Sequence, residues 1–443
     1  MKRERKNIIY GFLAGILILF TFLMIFTDPG KWFSKEKVIT VGVFSDSYWN
    51  VQNGYSYRIL EEAIQVFEKE HPQIKVEYVT GILKGDYSEW LAKQILSESA
   101  PDVFWILSED FNDLAEVGAL EDLTEFIRND PLFDENAFYT SAYECGQYHG
   151  TQYALPYECA PKLMFVNKSI LDREQIPLPD DSWTWEELFE ICKDVTKDLD
   201  GNGTPDQFGI AGYGWKEAFE ANGVRLFNEE GTECFLATSE VEESLYFLEK
   251  LSKLNGDAEV SGKQFDLGKA AFLPMSFSQY RAYKPYPLSV KKYANFEWDC
   301  ILMPSGPSGE NISSLETLML AMNANTKEKK EAWEFIKVLT CDPEIQAKIF
   351  DFSEGVAVLK EVTESDDTLW QLIEKAGSNT GMNLQVLSEA VENAAVAQRF
   401  RNYDAATAEI DKAITSILNG NSNISMDLIV WNRTINQYLE NLD

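Results

Sequence analysis

Histidine is almost missing from this chain: there are two in 443 residues, His71 and His149. That leaves too little imidazole for a His-based metal centre or a Ser-His-Asp triad. Cysteine is sparse as well. The six, at positions 145, 159, 192, 234, 300 and 341, show no C-x-x-C and no zinc-like spacing. Scattered in this way they read as small core residues, with a single bridging pair left open. No G-x-x-x-x-G-K-[ST] loop is present, so the chain carries no energy-coupling nucleotide motif. Positive charge is short: 39 Lys and Arg face 72 Asp and Glu, a formal charge of −33. Without basic surface to displace counterions, no nucleic-acid partner is expected. The acidic field also disfavours an anionic ligand, and a soluble acidic exterior accounts for it. There is no internal repeat and no low-complexity segment.

What is present is a globular composition, 45% hydrophobic and 13% aromatic, on a chain long enough for two or three domains. Lys2, Arg3, Arg5 and Lys6 precede an uncharged run over residues 8–26. At about nineteen residues this run can span a bilayer as a helix, and the basic flank keeps residues 1–7 in the cytoplasm. A cleaved signal peptide is the competing reading. No small-x-small cleavage site stands before Asp28, so an uncleaved anchor is favoured, with residues 27–37 as a tether of roughly 35 Å reach when extended.

Residues 38–44 read as a first strand, 74–79 as a second and 103–107 as a third. Between them Ile59, Leu60, Ala63, Ile64, Val66 and Phe67, then Trp90, Leu91, Ile95 and Leu96, give helical apolar faces. Such alternation predicts an α/β fold whose mostly parallel sheet is covered on both faces. Ligands of such sheets sit beyond the C-terminal strand ends, which makes loops 45–50 and 108–110 cleft candidates and brings in Tyr48, Trp49 and Glu109. Further on, Thr184 and Glu187 form a capping box for a helix over 185–195, and Ser239-x-x-Glu242 repeats the pattern. Two apolar stripes, Ile410, Ala413, Ile414, Ile417 and Leu428, Trp431, Ile435, Leu439, predict a helical tail.

The stretch 154–168 organises the rest. Residues 163–166 read as a buried strand, while Pro156 and Pro161 cannot donate to a ladder. The segment is therefore expected to leave one sheet before joining another, making a hinge with Tyr157 and Glu158 facing the gap. "YALPYE" and "LMFVNKSIL" here, followed by Thr184-Trp185-Glu186-Glu187-Leu188, resemble the extracellular solute-binding proteins of carbohydrate ABC importers, of the type that includes maltose-binding proteins. So do Pro101-Asp102-Val103-Phe104, "EVGALEDLTEFI" (116–127), "MPSGPSG" (303–309) and "KKEAWEFIKVLT" (329–340). The resemblance covers nearly everything after residue 38. It implies two α/β lobes closing on a ligand, with crossings near 157, 297–302 and 355–358: 38–156 plus 306–354 as lobe one, 157–305 plus 355–443 as lobe two. The lipid-attachment cysteine common in such proteins is missing, since none precedes Cys145.

Two chemistries follow. In Asp198-x-Asp200-x-Asn202-Gly203-Thr204-x-Asp206 oxygen donors alternate around a glycine, as in a loop that wraps one Ca²⁺ with a structural role. Gly209 stands where an EF-hand has its bidentate Glu, and an ordinary Asp/Asn/Gly turn is the alternative. For a neutral sugar, aromatic faces stack on the ring and polar groups bond the hydroxyls. The loops that the resemblance places at the cleft hold Tyr48, Trp49, Tyr157, Glu158, Tyr213, Trp215, Ser276, Ser278, Tyr280, Ser314 and Glu316. Trp183, Trp185 and Trp333 lie in amphipathic helix patterns and are assigned to packing. The expected protein is a monomeric, membrane-tethered binding protein on the extracellular face that delivers carbohydrate to separate ABC permease subunits. A sugar sensor for a signalling partner and an extracellular glycoside-acting enzyme are the alternatives.

Overall fold

The computed structural model describes residues 37–49, 57–256, 258, 260–282, 296–376, 384–420 and 423–442. The expected membrane run at 8–26 lies outside these. Among the described residues no helix is long and apolar enough to cross a membrane.

β1 (Lys37–Gly42), β2 (Ile74–Tyr78) and β3 (Val103–Ile106) form the parallel edge of the sheet, with β1 between the other two. Helices Arg58–Glu70 and Lys84–Leu96 make the crossovers that parallel pairing needs. Of the first helix's apolar face Ile59, Leu60, Ala63 and Phe67 are buried and Ile64 and Val66 partly so, whereas Leu96 at the end of the second helix's face is exposed. A small hairpin, β4 (Gln147–Tyr148) and β5 (Thr151–Gln152), turns through His149 and Gly150, both at positive φ. Then comes β6 (Ala154–Asn167), followed by β7 (Phe208–Ile210), β8 (Ala270–Ser276), β9 (Trp298–Ile301), β10 (Leu315–Met322) and β11 (Val356–Ala357). Among the described residues nine strands join in one sheet, in the order β2-β1-β3-β10-β6-β8-β7, with β9 and β11 also on β6.

The passage from one ladder to another expected at the two prolines is there, and β6 makes it without interruption over 14 residues. It changes partners on the way. Up to Pro161, opposite Leu315, it pairs with β10 and β11; from Lys162, opposite Ser276, it pairs with β8 and β9. Pro161 therefore sits where one ladder ends, and its missing donor is not called upon. At Pro156 the register shifts: Met319 faces Pro156 and Leu318 faces Glu158, leaving Tyr157 as an extra, bulged residue. A bulge absorbs the missing N–H and re-aims the neighbouring side chains.

Two cores flank this strand. Leu163 and Phe165 belong to the larger, with the first lobe, and Met164 and Val166 to the smaller. That is the period-2 alternation of a strand buried on both faces. Helices Trp185–Val195, Ser239–Leu254, Tyr403–Asn419 and Ile424–Leu439 line the smaller core. The sequence division gave 355–443 to the second lobe, yet Val356, Leu372, Leu387 and Val391 join the larger core, and only from Phe400 does the chain join the smaller. Local signals hold where chemistry is local. Thr184 and Glu187 form their capping box. The cap expected at Ser239 lies one residue earlier, where Thr238 Oγ1 accepts the Val241 N–H at 3.4 Å.

Candidate functional site

The loop after β1, the end of β3 and the β6 bulge meet around a pocket lined by Phe44, Tyr48, Trp105, Tyr157, Glu158 and Ser353. Aromatic rings build its wall. Trp105 stacks on Tyr157 with centroids 5.9 Å apart and lies 4.8 Å from Phe44; Tyr48 meets Trp49 edge-on at 4.7 Å. The Tyr48 hydroxyl donates to the Thr317 carbonyl at 3.2 Å and lies 3.3 Å from the Ser108 hydroxyl. Burial raises its pKa well beyond the usual phenol value. Lys84 Nζ lies 4.5 Å from the same ring.

Two carboxylates line this pocket, Asp46 and Glu158, and Glu158 is 4% exposed. Ser353 Oγ donates to its carboxyl. Burial pushes its pKa up to about 7, which the Ser353 and Trp49 donors and the Arg281 cation oppose and Glu354 reinforces. The Trp49 indole sits close enough to exert that pull, although its N–H does not reach good hydrogen-bond geometry with any partner. Gly355 makes the closeness possible: a Cβ there would fall 2.4 Å from Glu158 Oε2 and 3.0 Å from Trp49 Cζ2.

A second cluster lies across the partner change. Lys162, the first residue of β6 to pair with β8, forms a largely buried ion pair with Glu217 on helix Trp215–Ala221. Burial pulls Lys162 down, but Glu217, Glu220 and Glu316 outweigh it and raise its pKa; burial likewise lifts Glu217, and Lys162 brings it below its usual value. Glu220 is raised to about 7, mainly by burial, against the pull of Lys162 and the Ser314 N–H. Ser314 and Glu316 thus act on this cluster, and Glu316 acts on Tyr48 of the aromatic pocket as well.

The other expected site residues are placed as follows. Tyr213 accepts the Trp185 Nε1–H at 2.8 Å, and Trp215 donates to Asp411 at 2.9 Å, so both are tied to the second lobe. The hydroxyls of Ser276 and Ser278 lie 2.9 Å apart at the start of helix Phe277–Ala282, and Tyr280 packs on Phe165 and Trp298. Exposed Glu109 faces the other lobe through Asp404, whose pKa rises to about 6 by burial and by the charges of Glu109 and Asp113. There Asp113 also accepts the Asn402 N–H at 3.0 Å, and Arg399 lies 5.2 Å from the Phe111 ring centroid. Trp183, Trp185 and Trp333 are in packed positions.

In the 198–206 loop the donors face inward upon the loop itself. Asp198 accepts the N–H groups of Gly201, Asn202 and Gly203; Asn202 accepts that of Thr204, and Asp206 that of Leu199. These amides, Gly203 first, hold the Asp198 carboxyl below its usual pKa. Among the described residues no three His, Cys, Asp or Glu side chains are close enough to share a metal ion. In this arrangement the loop fits a self-satisfied turn and does not fit a formed cation site. Among the described residues no disulfide joins any of the six cysteines, and five of them are buried.

Trp105, Lys162, Glu217, Glu220, Arg281 and Ser353 escaped the sequence reading. Trp105 lay inside a run read only as strand. Lys162 lay in the stretch already singled out, where its charge between apolar residues was the available signal. Arg281 and Ser353 carried none.

The sequence matches the bacterial extracellular solute-binding proteins over residues 48–344. A multiple sugar-binding protein of Streptococcus mutans is 24% identical over 386 residues, 82% of this chain and 86% of that protein. Among solved structures, the sugar-binding protein MalE from Xanthomonas citri superposes with a TM-score of 0.73 at 15% identity, covering 91% of this chain and 98% of that one. An ABC substrate-binding protein from Listeria monocytogenes in complex with cycloalternan gives 0.67 at 21%, covering 91% and 99%.

Proposed function

The chain belongs to the bacterial extracellular solute-binding proteins, and we propose that it captures a neutral sugar or oligosaccharide between its lobes and delivers it to an ABC importer. Its relatives bind solutes and are not enzymes, so the glycoside-acting alternative is set aside. The observation that carries the ligand class is the β6 bulge. It puts Tyr157 and Glu158 on the strand shared by both lobes, among Tyr48, Trp49 and Trp105. Aromatic faces with a buried acid suit the alternating apolar and hydroxyl surfaces of a sugar ring. The names of the relatives, a multiple sugar-binding protein and one held in complex with cycloalternan, support the same class.

On this reading residues 8–26 tether the protein to the outer face of the membrane, and separate permease subunits receive the ligand. Calcium at 198–206 is a further proposal; it requires the carboxylates to turn from the loop amides to a shared cation. The test is a thermal-shift screen with mono- and oligosaccharides, followed by calorimetry on the best ligand. Loss of the Trp49 or the Trp215 ring is expected to weaken binding about tenfold each, and Glu158→Gln by more. A screen in which no neutral carbohydrate stabilises the chain, while another solute class does, would overturn the proposal.

A further inference from the structure

Arg281 stands on helix Phe277–Ala282, which grows out of β8 in the second lobe, and is 3% exposed. A guanidinium so deeply buried needs acceptors for its donors. Its two Nη atoms find them on the first lobe, while Nε has no partner among the described residues. Nη2 donates to the Phe350 carbonyl at 2.7 Å, and Nη1 to the Gly355 carbonyl and, at 3.5 Å, to that of Ile349. Its cation lies 5.3 Å from the Phe350 ring centroid. These acceptors lie in helix Ile349–Phe352 and on the chain that leaves it for β11, and that chain supplies two close neighbours of the Glu158 carboxyl. Ser353 donates to it, and Gly355 leaves room for it beside Trp49.

We infer that Arg281 is a positioning residue for the cleft: from the second lobe it fixes the 349–355 turn, and that turn holds the Glu158 carboxyl against Trp49. Only the word cleft rests on the proposed function; the link itself rests on the contacts. The consequence is coupling. A change in the position of the second lobe moves Arg281, and with it both the donor and the cation that act on Glu158. The charged and titratable groups facing Glu158 are Arg281 from the second-lobe helix, Glu354 from the turn, and Tyr157 and Cys159 on its own strand. Its ladder neighbours, Leu318 on β10 and Ala357 on β11, are apolar. Asp351 and Tyr280 act on Arg281 in turn.

Fluorine NMR of the full chain labelled with 5-fluorotryptophan tests this without any ligand, with the Trp49 resonance assigned by its loss in Trp49→Phe. In the wild type that resonance is expected to titrate with a midpoint of about 7, and Glu158→Gln to abolish the titration. Arg281→Met removes an opposing charge, so the midpoint should rise by about one pH unit. Arg281→Lys restores the charge and should bring the midpoint back toward wild type. Ser353→Ala removes the direct donor and should also raise it, which keeps the test open if Arg281→Met does not fold. A Trp49 resonance indifferent to pH in the wild type overturns the inference. So does a midpoint unmoved by Arg281→Met or, where that variant fails to fold, by Ser353→Ala. Failure to bind any sugar would instead strike the proposed function and leave this result standing.

Discussion

Tryptophans of the second lobe and those at the pocket end of the first use their N–H groups differently. Trp183 donates to the Leu302 carbonyl at 2.9 Å, Trp185 to the Tyr213 hydroxyl at 2.8 Å and Trp215 to Asp411 at 2.9 Å. Trp49 and Trp105 are as buried as the core indoles Trp183 and Trp185, yet neither N–H has a well-formed partner. Burying an unsatisfied donor costs about 1–3 kcal/mol, so folding avoids it where stability alone is at stake. The second-lobe indoles pin structure. The first-lobe pair surrounds Glu158 and Tyr157, in the pocket that the proposed function assigns to the ligand.

The largest effect should come from breaking a pin. Trp183→Ala is expected to lose about 3–5 kcal/mol of stability, since it empties a buried ring volume and strands the Leu302 carbonyl. Denaturant unfolding would measure it, and a loss below about 1 kcal/mol would end the view of Trp183 as core.

Next in size is a pH effect. Glu158 in the first lobe and Glu220 in the second are both raised to about 7 from a usual value of 4.5. Each folded carboxyl keeps its proton at pH values where the unfolded one has lost it. Stability from these groups is therefore full below about 4.5 and drains away as pH rises through about 7, by at most roughly 3 kcal/mol each. Melting temperature should fall across that window, and Glu158→Gln and Glu220→Gln should each flatten part of the fall. A melting temperature that rises over the window in the wild type, and is unchanged by either variant, would show the sign to be wrong.

Matched swaps sharpen the comparison directly. Trp185→Phe strands the Tyr213 hydroxyl, whereas Trp49→Phe removes an N–H that has no well-formed partner. The first should cost about 1 kcal/mol more than the second. Equal losses would mean the two indoles are held alike. Smallest is calcium: a melting shift of roughly 2 °C or less over chelator, removed by Asp200→Ala. No difference in the wild type would leave the 198–206 loop a turn.

Much of the fold was legible because its causes are local. The stripe Ile59, Leu60, Ala63 and Phe67, the Thr184–Glu187 box and the tail stripes depend on spacings within a few residues, and each formed as spaced. Part of the site was legible for a related reason. Tyr48, Trp49, Tyr157 and Glu158 follow strands or sit beside prolines, and their mutual closeness then depends on strand order.

Sequence by itself determined that strands and helices alternate, that residues 163–166 are buried strand, and that two prolines mark an irregularity beside Tyr157 and Glu158. It did not determine that the prolines leave β6 unbroken. That depended on β10 shifting register at Leu318 and Met319 to meet Pro156, and on β8 taking over at Lys162. Nor did it place Arg281 against the carbonyls of Phe350 and Gly355, some 70 residues away along the chain. A hydrophobic period is written in neighbouring residues, but a buried charge is defined by the acceptors that surround it, and only the assembled lobes bring those together.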